Sequence, residues 1–129
     1  MIVLDTHAWL WWASDAKRLS ARARTAIENA DTVGVCTISC WEVAMLEQHR
    51  RIELDRPVRT WIGQALAQDR VRPLVLTPEI AVSAALLDPQ RFVGDPADRI
   101  IYVTALAHQS RLATKDMGLR AFDRQTTLW

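Results

Sequence analysis

The sequence predicts an α/β fold in which helices flank a mainly parallel central sheet. Short β-branched or apolar runs alternate along the chain with helical patterns of ten or more residues, which is the order typical of right-handed βαβ units. The chain has 129 residues and is 50% hydrophobic, which suffices for one domain with a substantial core but not for two. We therefore expect a single α/β domain over residues 1–129.

The first strand and helix place an acid at the end of a buried element. Residues 1–4 form a short apolar run that predicts a buried strand ending at Asp5, and Thr6 is expected to cap a helix over residues 7–13. This helix is apolar all round, so either core packing or a partner interface explains its tryptophans. They are Trp9, Trp11 and Trp12.

Glu42 has a structural explanation as well as a functional one. Ser20 is expected to start a second helix, and residues 32–37 are β-branched enough to predict the second strand. Ser39 and Glu42 then match the S-x-x-E capping box, which predicts a helix over residues 43–49. Glu42 nevertheless stands at the start of a helix directly after a strand, as Asp5 does.

Proline and cap residues mark the elements of the second half. Pro57 opens a helix, residues 71–76 predict the third strand, and Thr77 with Pro78 starts a helix that stops at Asp88. Residues 111–114 predict a fourth strand before Lys115. A helical turn or loop over 117–122 and an edge strand over 126–128 follow.

The segment 94–105 places two carboxylates at the start of a buried helix. Asp95 before Pro96 predicts an N-cap with proline at the first helical position, which places Asp98 at the third. Two explanations are open for this pair of acids: they complement the helix dipole, or they belong to a functional site. For Asp95 the alternatives are a helix cap and an acid that supports such a site.

Four acids are expected to meet at one edge of the sheet. Asp5 and Asp116 end or follow strands, while Glu42 and Asp98 open helices on the carboxyl side, where parallel sheets place their sites. Four neighbouring carboxylates repel unless a cation lies between them. An all-oxygen donor set without His or Cys suits Mg²⁺ or Mn²⁺. The chemistry this predicts is metal-assisted hydrolysis of a phosphodiester.

Net charge, cysteine spacing and the length of the apolar runs limit the classes of protein to which the chain can belong. The net charge of +1 creates no global field, although this balance does not exclude a nucleic-acid partner. Cys36 and Cys40 have no partners at zinc-ligand spacing and are expected to be buried thiols. The longest apolar run, residues 8–13, is far shorter than a membrane span, so a soluble cytoplasmic protein without a membrane partner is expected.

Four motifs in order resemble those of PIN-domain ribonucleases, and more narrowly the VapC toxins of toxin–antitoxin pairs. They are Leu4-Asp5-Thr6-His7-Ala8, Ile38-Ser39-Cys40-Trp41-Glu42, Asp95-Pro96-Ala97-Asp98-Arg99-Ile100-Ile101 and Ala113-Thr114-Lys115-Asp116. The resemblance spans nearly the whole chain at about the family's usual length. It implies a PIN-like three-layer sandwich and endonucleolytic cleavage of RNA that depends on Mg²⁺ or Mn²⁺.

The resemblance also implies roles for individual residues. Asp5, Glu42 and Asp98 correspond to acids that bind the metal directly, and the more variable fourth acid, Asp116, binds it directly or through water. Three further residues beside the acids are expected to support the metal or a phosphate, and two cationic ones to contact RNA or an antitoxin. The first group is Thr6, Asp95 and Thr114; the second is Arg99 and Lys115. A plain strand position for Thr114 and surface salt bridges for Arg99 and Lys115 are the structural alternatives.

The partners implied by the resemblance are an RNA substrate, a second copy of the chain, and a VapB-like antitoxin. The C-terminal segment of such an antitoxin lies near the acids and presents a cation to them. A catalytically silent PIN-like scaffold that binds RNA or a partner is the alternative function. Phosphatases with a nucleophilic Asp and receiver domains fit less well, since His7 and Thr77 stand where those classes need an acid.

Overall fold

Five strands and seven α-helices alternate along the chain in the computed structural model, which describes residues 1–129. The strands are Ile2–Leu4 (β1), Val33–Cys36 (β2), Val71–Leu74 (β3), Arg111–Ala113 (β4) and Thr127–Leu128 (β5). The helices are Thr6–Ser14 (α1), Ala21–Asn29 (α2), Thr37–Gln48 (α3), Val58–Leu66 (α4), Pro78–Ala85 (α5), Pro96–Ala107 (α6) and Met117–Phe122 (α7). A 3₁₀ turn, Ala16–Arg18, follows α1.

The strands form one sheet in the order β3-β2-β1-β4-β5, and every pairing is parallel. The predicted α/β class with a mainly parallel sheet is therefore confirmed. The strand order runs outward from β1 in both directions, so β1 lies at the point where the topology reverses. In open parallel sheets the crevice at such a point, outside the carboxyl ends of the strands, is where ligands bind.

The alternation of side chains along β1 divides the core between the two faces of the sheet. Ile2 and Leu4 pack with residues of α1, α2, α3 and α4, whereas Val3 packs with residues of α5, α6 and α7. All three β1 residues are at most 4% exposed. The result is the predicted three-layer arrangement, with helices on both faces of a sheet whose central strand is fully covered.

Helix caps that the sequence predicts are present in the structure. Ser20 Oγ accepts a hydrogen bond from the Ala23 amide at 3.0 Å, and Thr77 Oγ1 accepts one from the Ile80 amide at 3.2 Å. Asp95 caps α6, with proline in the first turn. Side-chain acceptors at these positions satisfy amides that have no partner within the helix.

Two predicted caps are wrong. Asp5, not Thr6, caps α1, because its carboxylate accepts from the Ala8 amide and Thr6 is already helical. Ser39 and Glu42 form no capping box, because α3 starts at Thr37, directly after β2, and both residues lie inside the helix. The predicted third strand is also shorter than expected and ends at Leu74.

The tryptophans of α1 are mainly core residues. Trp9 is fully buried and packs edge-on against Trp61 at 5.2 Å between ring centroids, while Trp11 is 8% exposed. Core packing, rather than an interface, therefore explains these two side chains. Cys36 is buried and Cys40 half-buried, both as free thiols, so the prediction of a buried thiol is confirmed for Cys36 but not for Cys40. None of the helices combines the length and the hydropathy needed to cross a bilayer.

Candidate active site

Asp5 stands at the carboxyl end of the central strand. Its Oδ1 accepts a hydrogen bond from the Ala8 amide at 2.7 Å, which fixes the carboxylate at the start of α1. Burial raises the pKa of Asp5, and the Asp116 carboxylate raises it further, while hydrogen bonds from Thr114 and Ala8 oppose this rise. The position of the Asp5 carboxyl group is thus fixed, and its ionisation is unfavourable unless a cation lies nearby.

Glu42 lies on the second turn of α3 and faces the start of α1. Thr6 Oγ1 donates a hydrogen bond to Glu42 Oε1, and the same hydroxyl lies 3.0 Å from the fully buried Ser39 Oγ. Burial raises the pKa of Glu42, as do the Asp95 and Asp5 carboxylates, whereas the hydrogen bond from Thr6 and the charge of His7 lower it. The position of Glu42 is therefore set by tertiary contacts rather than by a helix cap.

Asp95 and Asp98 form a reciprocal capping box at the start of α6. Asp95 Oδ1 accepts from the Asp98 amide at 2.9 Å, and Asp98 Oδ2 accepts from the Asp95 amide at 3.2 Å. The predicted cap role of Asp95 is confirmed. Burial raises the pKa of Asp98 to about 7, and the carboxylates of Asp95, Glu42 and Asp116 contribute in the same direction.

A glycine before the capping box leaves room for the Asp98 side chain. A Cβ at Gly94 would lie 2.7 Å from Phe92 Cε1 and 3.0 Å from Asp98 Cβ. Phe92 is only 2% exposed and packs against Tyr102 and Phe122, so its ring is held in place. The close approach at Gly94 thus helps to determine where the carboxylate of Asp98 lies.

Asp116 and Thr114 follow the strand next to β1. Asp116 is exposed and caps α7, since its Oδ1 accepts from the Leu119 amide at 2.6 Å. Thr114 is fully buried and lies just beyond β4, where its Oγ1 accepts from the Asp116 amide at 3.1 Å. Thr114 thus lies beside two of the predicted site acids: its hydroxyl accepts from the backbone of Asp116 and opposes the rise in the pKa of Asp5.

All four predicted acids, with Asp95, therefore share one edge of the sheet and influence one another's charge. The carboxylate of Asp98 interacts electrostatically with those of Asp95, Glu42 and Asp116, and Asp5 interacts with Asp116. None of them is neutralised by a salt bridge, since the only ion pair in the structure joins Arg56 to Asp55. No three side chains lie close enough together in this arrangement to hold a metal ion.

The chemistry of this donor set nevertheless suits a hard divalent cation. The side chains at the edge offer carboxylate and hydroxyl oxygens, and burial leaves the carboxylates with raised pKa values and no cationic partner. Mg²⁺ and Mn²⁺ prefer such oxygen ligands and complete their coordination with water. A complete ligand set would require these side chains to lie closer to a common centre than they do here.

The two predicted cationic contacts are placed differently. Arg99 is half-buried: its Nη1 donates to the carbonyls of Ala84 and Leu87 at 3.2 and 3.0 Å, and its guanidinium lies over the Phe92 ring. Arg99 thus binds the end of α5, and the surface salt bridge suggested as its alternative role is wrong. Lys115 is exposed, with Nζ 5.6 Å from the centroid of the Trp11 ring, and remains free to contact a ligand.

Exposed apolar side chains that the sequence did not single out stand next to the acids or the Gly94 loop along the chain. Trp41 precedes Glu42 and is 57% exposed, and Met117 follows Asp116 and is 80% exposed. Val93, at 81% exposure, stands just before the Gly94 loop. Their exposure depends on how the helices meet at the edge of the sheet, which no local pattern reports.

The fold and this edge of carboxylates define the class of protein. The sequence matches the PIN domain over residues 2–125, and the chain belongs to the PIN-domain family. It is 45% identical to Ribonuclease VapC22 of Mycobacterium tuberculosis (strain ATCC 25618 / H37Rv), an alignment that covers 99% of this chain and 98% of the relative. The resemblance to VapC proteins that the motifs indicate is thereby confirmed.

Solved structures with low sequence identity share the fold. A toxin–antitoxin complex from Klebsiella pneumoniae contains a chain that superposes with a TM-score of 0.72 at 18% identity, covering 100% of this chain and 97% of that one. VapBC2 from Rickettsia felis, bound to a DNA fragment from its promoter, gives a TM-score of 0.67 at 13% identity, with 99% and 98% covered. At these identities the likeness confirms the predicted PIN-like fold.

Proposed function

We propose that this chain is an endoribonuclease that depends on Mg²⁺ or Mn²⁺ and acts as the toxin of a VapBC-type pair. The observation that carries the proposal is the group of carboxylates at the carboxyl edge of the sheet, which has no cationic side chain to neutralise it. Membership of the PIN-domain family and 45% identity to a VapC ribonuclease support the same reaction class.

In this proposal Asp5, Glu42 and Asp98 hold the metal directly, and Asp116 holds it directly or through water. Thr6 keeps Glu42 oriented by donating its hydroxyl proton, the Ala8 amide holds Asp5 in the same way, and Thr114 is proposed to support the Asp5 carboxylate. When bound, a divalent ion polarises the phosphodiester and lowers the pKa of the attacking water. The residues of the chain thus align the phosphate and the water, and no histidine is required as a base.

Cleavage of a mixed RNA pool by the purified, partner-free protein tests the proposal. Activity with Mg²⁺ or Mn²⁺ is expected in the wild type and is expected to disappear with EDTA, Asp5→Asn or Asp98→Asn. Asp31→Asn is the matched control, because Asp31 is exposed and its side chain makes no hydrogen bond. This control removes the same charge far from the site and is expected to leave cleavage unchanged.

The alternative function, a silent PIN-like scaffold, predicts a different outcome. Folded wild-type protein would then neither bind Mn²⁺ nor cut RNA, and the two Asp→Asn variants would behave like the wild type. Cleavage that persists in Asp98→Asn would instead contradict the assignment of the site while leaving the reaction class intact.

An antitoxin is the proposed protein partner, and the surface around the acids suits one. Trp41, Val93 and Met117 offer exposed apolar contacts beside a negatively charged centre. A segment with apolar side chains flanking an arginine or lysine matches this distribution, since its cation would neutralise the carboxylates in place of the metal. The toxin–antitoxin complexes of similar fold support such a partner.

We also propose a homodimer that forms through α5 and α6. Val82 of α5 is 58% exposed and Leu86, which follows the last residue of α5, is 78% exposed; Leu106 of α6 is 43% exposed beside a groove of about 600 Å³ between the two helices. Large apolar side chains gathered on one face are typical of a protein interface. A second copy would bury the same face on both chains about a twofold axis.

A further inference from the structure

A second cleft, lined by arginines, lies beside the carboxylates. It encloses about 460 Å³ between α2, α7 and β5. Arg22 of α2 and Arg120 of α7 line it, together with Arg124 just beyond α7, and Met117 and Trp129 contribute apolar surface. No Asp or Glu side chain lines this arginine cleft.

The three arginines are not used to hold the fold. Elsewhere in the structure arginines donate to backbone carbonyls: Arg70 to Ala30 at 2.6 Å, and Arg111 to Thr127 at 2.8 Å. By contrast, Arg22, Arg120 and Arg124 make no side-chain hydrogen bond and no salt bridge, although they share one cleft. Like charges held together without a partner repel each other, so an anion bound there would relieve this repulsion.

The arginine cleft begins where the candidate active site ends. Asp116 caps α7, and Met117, the first residue of that helix, lines the cleft. Arg120 stands four residues after Asp116. At a rise of 1.5 Å per residue it lies about 6 Å farther along the axis of α7, on the same side of the helix. A polyanion crossing the carboxylate edge can therefore continue into the cleft without leaving the surface.

We propose that the arginine cleft binds the phosphate backbone of single-stranded RNA on one side of the bond that is cut. This inference rests on the proposed ribonuclease function. Arginine forks bind phosphate oxygens in pairs, and the half-buried indole of Trp129 adds an aromatic surface on which a base can stack. The continuity with the carboxylate edge favours RNA over an acidic protein segment, because the same strand occupies both places.

Binding rather than cleavage tests the cleft. Fluorescence anisotropy of a labelled, mixed-sequence single-stranded oligoribonucleotide is measured in EDTA, so that no strand is cut. The double variant Arg120→Ala/Arg124→Ala is expected to bind at least about tenfold more weakly at low salt, and the slope of log affinity against log salt is expected to fall by about 1.4.

The matched control removes two arginines near the opposite edge of the sheet. Arg59→Ala/Arg72→Ala changes one exposed residue on α4 and one on the edge strand β3, and neither side chain makes a hydrogen bond. This control has the same net charge as the double variant. Comparable thermal unfolding of both proteins shows that a loss of binding comes from the cleft and not from misfolding.

Three outcomes would overturn the inference, and they are distinguishable. If the wild type binds and cuts RNA but the two double variants bind it equally well, the cleft is not a phosphate site and the ribonuclease function stands. If the cleft binds poly-glutamate as tightly as RNA, and loses both equally in the double variant, an acidic protein segment replaces RNA as its occupant. If wild-type protein neither binds nor cuts RNA, the cleft proposal fails together with the proposed function.

Discussion

The hydroxyl of Thr6 donates to the carboxylate of Glu42, and so joins the first turn of α1 to α3 across the edge of the sheet. Thr6 is 3% exposed, and its hydroxyl carries a single proton, which goes to the carboxylate as the stronger acceptor. This contact orients one predicted metal ligand from an element far away in sequence.

Removing the Thr6 hydroxyl is therefore expected to weaken metal binding. In Thr6→Val the side chain keeps its shape but Glu42 loses its donor, and we expect the affinity for Mn²⁺ to fall by about tenfold or more. Titration calorimetry measures the change. Thr6→Ser restores the donor and is expected to restore binding; equal affinities in the wild type and Thr6→Val would show that Glu42 needs no such support.

The cap of α7 allows the structural role of Asp116 to be separated from its proposed catalytic role. Asparagine can cap a helix as aspartate does, so Asp116→Asn is expected to leave the free energy of unfolding nearly unchanged, whereas Asp116→Ala is expected to lower it by about 1 kcal/mol. Both changes remove the charge and are expected to reduce RNA cleavage. Urea unfolding and a cleavage assay on the same samples check this, and a fully active Asp116→Asn would remove Asp116 from the site.

The stability of the metal-free protein is expected to fall as the pH rises. The pKa of Asp98 is about 7 in the folded protein, well above its ordinary value in an unfolded chain. Between those two values the folded state binds more protons than the unfolded state, so the free energy of unfolding decreases with pH and levels off above about 7. The raised pKa values of Asp5 and Glu42 act in the same direction.

Urea unfolding in EDTA at pH 5 and pH 8 measures this effect. Asp98→Asn, which keeps an acceptor for the capping box but cannot ionise, is expected to lose a large part of the difference between the two midpoints. A wild-type midpoint that rises from pH 5 to pH 8 would contradict the prediction.

Gly94→Ala tests the loop that positions Asp98, and Gly63→Ala is its matched control in α4. In Gly94→Ala the new methyl group would crowd Phe92 and Asp98, so we expect lower thermal stability together with slower RNA cleavage. Gly63 lies in the exposed part of α4 with nothing near its missing Cβ, so Gly63→Ala is expected to stabilise the protein by about 0.5–1 kcal/mol. Normal activity and stability in Gly94→Ala would show that the loop accommodates the methyl group.

The proposed dimer face is tested by placing charge on it. Leu86→Glu introduces a carboxylate at an exposed apolar position at the end of α5, and we expect it to shift the protein from dimer to monomer. Light scattering after gel filtration measures the mass. Trp41→Glu, at an exposed position on α3, is the control; a wild type that is monomeric at high concentration would rule out the homodimer.

The sequence predicts those parts of the fold that depend on local chemistry. Asp95 and Pro96 start α6 where expected, because an acceptor followed by a proline suits the first turn of a helix whatever surrounds it. The apolar strand residues and their alternation with helices were also sufficient for the parallel sheet. The four acids were identified from their places at strand ends and helix starts, and the parallel topology explains why they lie at one edge of the sheet.

What local pattern could not predict is the set of contacts between distant segments. Ser39 and Glu42 match a capping box, yet Thr6, more than thirty residues earlier, binds Glu42 and lies against Ser39, while the helix starts earlier at Thr37. Arg99 looked like a surface residue, but it binds the end of α5. The arginine cleft depends on α2 packing near α7, which no motif in either segment reports.

The central position of β1 has a consequence for when the protein becomes active. Ile2 pairs with Arg111 and Leu4 with Ala113, so β1 can pair with this neighbour only after residues 111–113 have been synthesised. Asp98 and Asp116 also lie in the last third of the chain. A nascent chain therefore cannot assemble the carboxylate edge until Asp116 has left the ribosome, and any RNA-cutting activity begins only after that point.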